Sequence, residues 1–256
     1  RERRNLMEYT YQGLKVYCEK KGRGPDLVLL HGWGCDGKIF SGIVSELMPY
    51  FTIYNIDLPG FGNSDEPKNY YTLDDYVDML IDFINKFKIN NPIILGHSFG
   101  GRIAIRFTSK TNLTKKLILV DSAGIKPKGY FKTKLKILKY KLKKKTYKLF
   151  KKVNKYQTLI QNSGSNDYKN ATPVMKKTLS VITKTFQEKE LKSIKTNTLL
   201  IWGKNDYTTL YQDGEKMQKL LENSAIVSIE NVGHFPFLEK PYHFMCILKT
   251  FLEVNE

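Results

Sequence analysis

The chain has 256 residues, 41% of them hydrophobic and 12% aromatic, which suffices for one sizeable core. Its formal net charge is +17, but residues 122–166 hold fourteen lysines and no Asp or Glu, so the rest of the chain carries only +3. The remaining arginines are few, with none after Arg106, which argues against a nucleic-acid reader built on bidentate base contacts. No apolar run approaches the ~20 residues of a membrane span. The charged start, Arg1 to Met7, is followed by no apolar h-region, so no secretory signal is expected in this sequence. Cys18, Cys35 and Cys246 are odd in number and far apart. They form neither a disulfide framework nor a zinc spacing, and reduced thiols in a cytoplasmic protein are expected.

In chain order, Met7–Thr10 and Leu14–Glu19 alternate around Gly13 and predict an opening hairpin. Leu27–Leu30 is a continuous apolar run, hence a strand buried on both faces, and it enters the glycine-rich loop His31-Gly32-Trp33-Gly34. Helical spacing runs from Ile39 to Met48, followed by a strand over Phe51–Ile56 and the turn-forming stretch from Asp57 to Ser64. Thr72 with Asp75 reads as a capping box opening a helix that continues to about Phe87. A short apolar run then ends in Gly96-His97-Ser98-Phe99-Gly100, and a helical pattern follows at once.

Leu117–Val120 is the next buried strand, ending at Asp121. From Gly124 to Ile194 there are only helical patterns, with Phe131, Leu135, Leu138 and Leu142 on one face expected to pin that helix down and leave the lysines outward. Strand Leu199–Trp202, a helix over Asp213–Leu221, strand Ala225–Ile229 and a closing helix over Pro241–Leu252 complete the chain. Buried strands alternating with helices predict a mostly parallel α/β sheet with helices on both faces, its ligand edge at the strands' carboxyl ends. The expected division is a core of residues 1–123 and 195–256, with 124–194 inserted as a lysine-rich helical cap.

A G-x-S-x-G pentad between a buried strand and a helix lifts the Ser98 hydroxyl clear of the backbone, and Gly96 and Gly100 leave room for the neighbouring elements. A serine nucleophile needs a base, and the base needs an orienting carboxylate. His234, on a Gly-His turn after the last strand, is the candidate base. His31, His97 and His243 fit packing or loop hydrogen bonds better. Asp206 is the candidate acid, with Asp121 the alternative on the same edge. The backbone N–H groups of Phe99 and Trp33 are the candidate oxyanion donors. Phe40, Tyr130, Phe131 and Phe235, with Trp33, are candidates for an apolar acyl pocket.

The segments His31–Gly34, Asp57–Ser64, Gly96–Gly101, Trp202–Asp206 and Gly233–Phe235 together resemble the α/β-hydrolase superfamily over nearly the whole chain. The resemblance implies that fold with a helical cap, a Ser98–Asp206–His234 triad, and a metal-free serine hydrolase without cofactor acting on esters or related small acyl compounds. Serine at position 98 disfavours the dehalogenases and epoxide hydrolases of the family, which carry Asp there. Residues 207–210 lack the proline that many relatives place soon after the acid. Hydrolysis of a carbon–carbon bond, perhydrolysis, or a receptor that keeps the triad and binds a signal ligand also fit the resemblance. The lysine tract is expected to be a solvated helix face rather than a membrane-contacting or nucleic-acid-binding surface.

Overall fold

The computed structural model describes residues 6–127, 135, 138–140, 142–144, 146–147 and 166–254. The expected hairpin is present: β1 (Leu6–Tyr11) and β2 (Leu14–Lys21) pair antiparallel, Tyr11 opposite Leu14. β2 then pairs antiparallel with β4 (Thr52–Ile56). From there the sheet is parallel through β3 (Asp26–Leu30), β5 (Ile93–His97), β6 (Lys116–Val120), β7 (Thr198–Gly203) and β8 (Ser224–Ile229). The eight strands lie in the order β1-β2-β4-β3-β5-β6-β7-β8.

The runs that read as doubly buried strands are so. Every residue of β5 and β7 is buried, as is all but the first residue of β3, β4 and β6. Alternate residues serve two apolar layers. Val28, Leu30, Ile94, Leu119 and Trp202 face α2 (Leu73–Lys86) and α3 (Phe99–Thr111), through Tyr76, Phe83, Ile103 and Phe107. Leu27, Leu29, Leu95, Ile118 and Ile201 face α1 (Ser41–Leu47) and the C-terminal helix, through Ile43, Leu47, Phe244 and Leu248.

Local chemistry sets the helix starts. Thr72 Oγ1 accepts from Asp75 N while Asp75 Oδ2 accepts from Thr72 N at 2.6 Å, the reciprocal capping box expected before α2. The helix expected over Ile39–Met48 is divided. Asp36 accepts the Lys38 N–H and opens a short 3₁₀ turn over Gly37–Phe40, and α1 begins only at Ser41.

Between β6 and β7 no strand occurs among the described residues, which form α4 (Asn166–Asn170), α5 (Pro173–Ile182) and α6 (Glu188–Ser193). α5 docks on the loop after β4, where Tyr71 N donates to Thr178 Oγ1 at 2.9 Å. The start of α6 is tied to α3: Gln187 Nε2 donates to Arg102 O at 2.8 Å, and Arg102 Nη1 donates to Thr185 O at 2.5 Å. One expectation for this segment fails. Leu135, Leu138 and Leu142 are 52%, 52% and 57% exposed, so this face is not buried. Helical spacing shows which side an apolar stripe occupies, not that a partner covers it. Phe131 lies outside the described residues.

After β7 come α7 (Tyr211–Leu220), β8, a short α8 (Pro236–Glu239) that the sequence pattern did not reveal, and α9 (Pro241–Leu252). No helix among the described residues is long and apolar enough to cross a membrane.

Backbone approaches backbone closely at the start of α3. A Cβ on Gly96 would lie 2.5 Å from Gly100 O, and one on Gly100 would overlap the Leu30 carbonyl. Gly100→Ala should therefore destabilise the protein by roughly 3 kcal/mol or more, the upper range for overpacking. Thermal denaturation reads the loss, at roughly 2–4 °C per kcal/mol for a chain of this size. An unchanged melting temperature would mean that α3 can retreat from β3 at no cost.

Candidate active site

Ser98 sits between β5 and α3 with φ 51° and ψ −108°, a region unfavourable for a residue with a Cβ. The conformation is held from both sides. Ser98 N donates to Val120 O at 3.1 Å, and Ser98 O accepts from Gly101 N and Ala123 N, each at 3.1 Å. The side chain is half-buried at the carboxyl edge of the sheet. Phe99 follows as the first residue of α3, where an amide has no intrahelical acceptor.

The loop after β3 closes over this turn. Its Gly32 backbone lies so near that a methyl group there would stand 2.8 Å from His97 Nδ1 and 3.3 Å from Ser98 Cβ. His31 fastens the loop. Its Nδ1–H donates to Gly32 O at 2.8 Å and its Nε2 accepts from Leu58 N at 2.9 Å, which fixes the tautomer and joins the loops after β3 and β4. No described residue accepts a hydrogen bond from Trp33 N. The Trp33 ring meets Phe61 at 4.8 Å and the buried Phe99 at 5.5 Å, so Trp33 and Phe61 are half-buried aromatics packed on the core beneath.

His234 follows β8 on the turn Asn231–His234. Its Nδ1 is 2.6 Å from Asp206 Oδ2. A carboxylate can only accept here, so Nδ1 carries the proton and Nε2 is left as a free acceptor. Asp206 is itself well held: Oδ1 accepts from Thr208 N at 2.6 Å and Thr209 N at 3.1 Å, and Oδ2 from Thr209 Oγ1 at 2.7 Å. Burial alone would raise this carboxyl. The hydrogen bonds from His234, Thr209 and Thr208, with the attraction of the imidazole, outweigh it and hold Asp206 below the usual carboxylate range. Ser98 makes no hydrogen bond to His234, a gap common where catalytic contacts tighten only with substrate.

Sequence reasoning gave His97 packing or a loop hydrogen bond rather than a part in the chemistry, without naming its partner. Its Nε2–H donates to His234 O at 2.8 Å, and the two rings are 4.8 Å apart. His97 thus ties the backbone of the candidate base to the strand that carries Ser98. Burial, helped by the neighbouring His234 ring, pushes the His97 imidazole down to about 3, so it stays neutral. Glu239 at the end of α8 holds the other side of the turn, accepting from Gly233 N at 2.8 Å and Phe235 N at 3.1 Å.

Asp121, the alternative acid, makes no hydrogen bond to His234. It is fully buried, and its Oδ1 accepts from Gly203 N at 3.0 Å. One ligand-type atom each from Asp121, Asp206 and His234 lies within 4.8 Å of the others, a spacing able to surround a metal ion. Within this set, His234 Nδ1 and Asp206 Oδ2 are engaged with each other at 2.6 Å.

The pocket candidates separate. Phe235 is half-buried, 5.2 Å from the His234 ring. Phe40 has no exposed surface and packs on Phe237 at 5.3 Å in the apolar layer beneath the sheet. That corrects the expectation that it lines a pocket: the 3₁₀ turn points it into the α1 layer. Tyr130 and Phe131 lie outside the described residues.

The family described as alpha/beta hydrolase fold matches residues 25–241. The chain belongs to this family. Among its relatives, a pimeloyl-[acyl-carrier protein] methyl ester esterase of Nitrosomonas europaea is 27% identical over 252 residues, 90% of this chain and 96% of the relative. The AB hydrolase superfamily protein YisY of Bacillus subtilis is 26% identical over 94% of this chain and 97% of its own length. The solved structure of an esterase from Exiguobacterium antarcticum superposes with a TM-score of 0.75 at 22% identity, over 97% of this chain and 98% of that one. At that identity the likeness is one of fold.

The neutral, buried His97 has a consequence for stability. In the unfolded chain it takes up a proton as pH falls through about 6.5, whereas the folded protein refuses one until about 3. Stability present above pH 6.5 is lost as pH falls through this window, at up to about 1.4 kcal/mol per pH unit for one such group. His97→Gln lacks that group. Its stability relative to wild type, from urea unfolding at pH 7.5 and 5, should improve on the acid side. A constant difference between the two proteins would refute the neutral His97.

Proposed function

We propose that this protein is a serine hydrolase of carboxylic esters or related small acyl compounds, working through an acyl-enzyme. The observation that carries the reading is the 2.6 Å contact of His234 Nδ1 with Asp206, because it turns Nδ1 to the acid and leaves Nε2 as the nitrogen available to Ser98 when the ring is neutral. His234 Nε2 takes the proton of Ser98 Oγ as that oxygen attacks the acyl carbon. Asp206 keeps the imidazole in the productive tautomer and stabilises its charge once the proton has moved. The oxygen of the tetrahedral intermediate becomes negative, and the N–H groups of Phe99 and Trp33 receive it. The imidazolium then gives its proton to the leaving alcohol. Water, deprotonated by the same nitrogen, attacks the acyl carbon and frees Ser98.

The substrate reading rests on these aromatic side chains. Trp33 and Phe61, backed by the buried Phe99, offer an apolar surface near the nucleophile, which suits an acyl chain rather than a charged group. The Nitrosomonas relative is named for cleaving a methyl ester, and a small leaving alcohol fits the same scheme.

Wild type should hydrolyse p-nitrophenyl acyl esters in a series of graded chain length. Ser98→Ala should lower kcat by about 10⁴ to 10⁶ without loss of fold, and Asp206→Asn by about 10⁴. Retained turnover in purified Ser98→Ala would end this reading. Stoichiometric binding of the esters with no turnover by wild type would instead place the chain with hydrolase-fold receptors.

A further inference from the structure

A second carboxyl group stands behind the acid of this site, and the proposed mechanism gives it no task. Asp121 ends β6 in a left-handed conformation, φ 40°, which few side chains adopt without a reason. It has no exposed surface. Its backbone is fastened on both sides, with N donating to Ile201 O at 3.0 Å and O accepting from Thr209 Oγ1 at 2.9 Å. Its Oδ1 accepts from Gly203 N, but its Oδ2 is buried with no donor near it. Among the described residues no Lys or Arg is ion-paired with it. The charged or titratable groups that face it are Asp206, His234 and the more distant Glu239.

A bare buried carboxylate beside a second carboxylate is among the least favourable arrangements in a protein. The same atoms become satisfied if one proton is added to Asp121. Thr209 Oγ1 has a single hydrogen and two candidate acceptors, Asp121 O at 2.9 Å and Asp206 Oδ2 at 2.7 Å. When that hydrogen goes to Asp121 O, Asp206 Oδ2 has a lone pair open for another donor.

We propose that Asp121 is a neutral carboxylic acid whose Oδ2–H donates to the Asp206 carboxylate, making it a positioning residue for the acid of the site. The role rests on the reading of Asp206 as partner of the base, whereas the protonation does not. Burial, then the charge of Asp206, pushes the Asp121 carboxyl up to about 10, in keeping with the geometry. The arrangement lets Asp206 keep its own charge for His234 while its far side is held by a donor that adds no positive charge.

Asp121→Asn keeps both bonds, with the amide oxygen accepting from Gly203 and the NH₂ donating to Asp206. Asp121→Ala removes both. Two measurements test the proposal. The first is unfolding by urea from pH 5 to 9, for wild type and Asp121→Asn. An acid that ionises only on unfolding costs the folded protein more as pH rises. The unfolding constant of wild type relative to Asp121→Asn should therefore rise by up to tenfold per pH unit. A flat ratio would mean that Asp121 is ionised in the folded state and would overturn the proposal, whatever the activity. The second is ester turnover. Asp121→Asn should stay within about threefold of wild type in kcat and leave the acid limb of the kcat/KM profile in place. Asp121→Ala should lower kcat by about tenfold to a hundredfold with little change in KM. An Asn variant as impaired as Asp206→Asn, or an acid limb moved to lower pH by loss of a negative charge, would refute the neutral donor. Failure of Ser98→Ala to abolish turnover would remove the catalytic role but leave the unfolding result standing.

Discussion

Helix α3 starts where it does because no side-chain carbon stands between it and the sheet. The carbonyl of Leu30 occupies the space that a Cβ on Gly100 would need, and Gly96 meets the same helix from β5. This closeness forces the chain through a tight turn at Ser98 and leaves the serine with a positive φ. It also brings the loop after β3 against His97 and Ser98. The exposed hydroxyl, the unpaired first amide of the helix and the neighbouring glycine loop are thus results of one packing constraint.

Around that turn two uncharged imidazoles strap the site together. His31 joins the loops after β3 and β4, and His97 joins β5 to the turn after β8. Both imidazoles are buried and neutral, their affinity for protons lowered chiefly by burial. A cation at His97 would compete with His234 for the field of Asp206. Neutral straps give rigidity and leave the electrostatics of the Asp206–His234 pair undisturbed.

Much of this was legible in the sequence, for a physical reason. Doubly buried parallel strands are continuous apolar runs, and Leu27–Leu30, Leu117–Val120 and Leu199–Trp202 were each found as such. The capping box of Thr72 and Asp75 is also local, and so it could be read. Asp206 and His234 each follow a recognisable strand, and the fold brings them within 2.6 Å. What escaped depends on neighbours remote in the chain. Phe40 looked like a pocket aromatic because nothing local says which layer a 3₁₀ turn will face. Leu135, Leu138 and Leu142 looked set to pin their helix because spacing does not report how far a face is covered. Asp121 was weighed as a rival to Asp206, when the two lie side by side. The tasks of His31 and His97 are set by carbonyl and amide groups on other loops, which leave no mark in the neighbouring residues.

The long excursion between β6 and β7 leaves and re-enters the fold at two strands that pair directly, Val120 against Ile201. A parallel crossover needs only about a dozen residues, so most of residues 121–197 is surplus to joining those strands. The entropy of closing such an excursion grows only logarithmically, by about 0.6 kcal/mol for each doubling of length. Ser98, Asp206 and His234 all belong to the frame outside it. Away from the residues that anchor it to the frame, such as Asp121, Gln187 and Leu191, substitutions and insertions in the excursion should therefore cost the frame little.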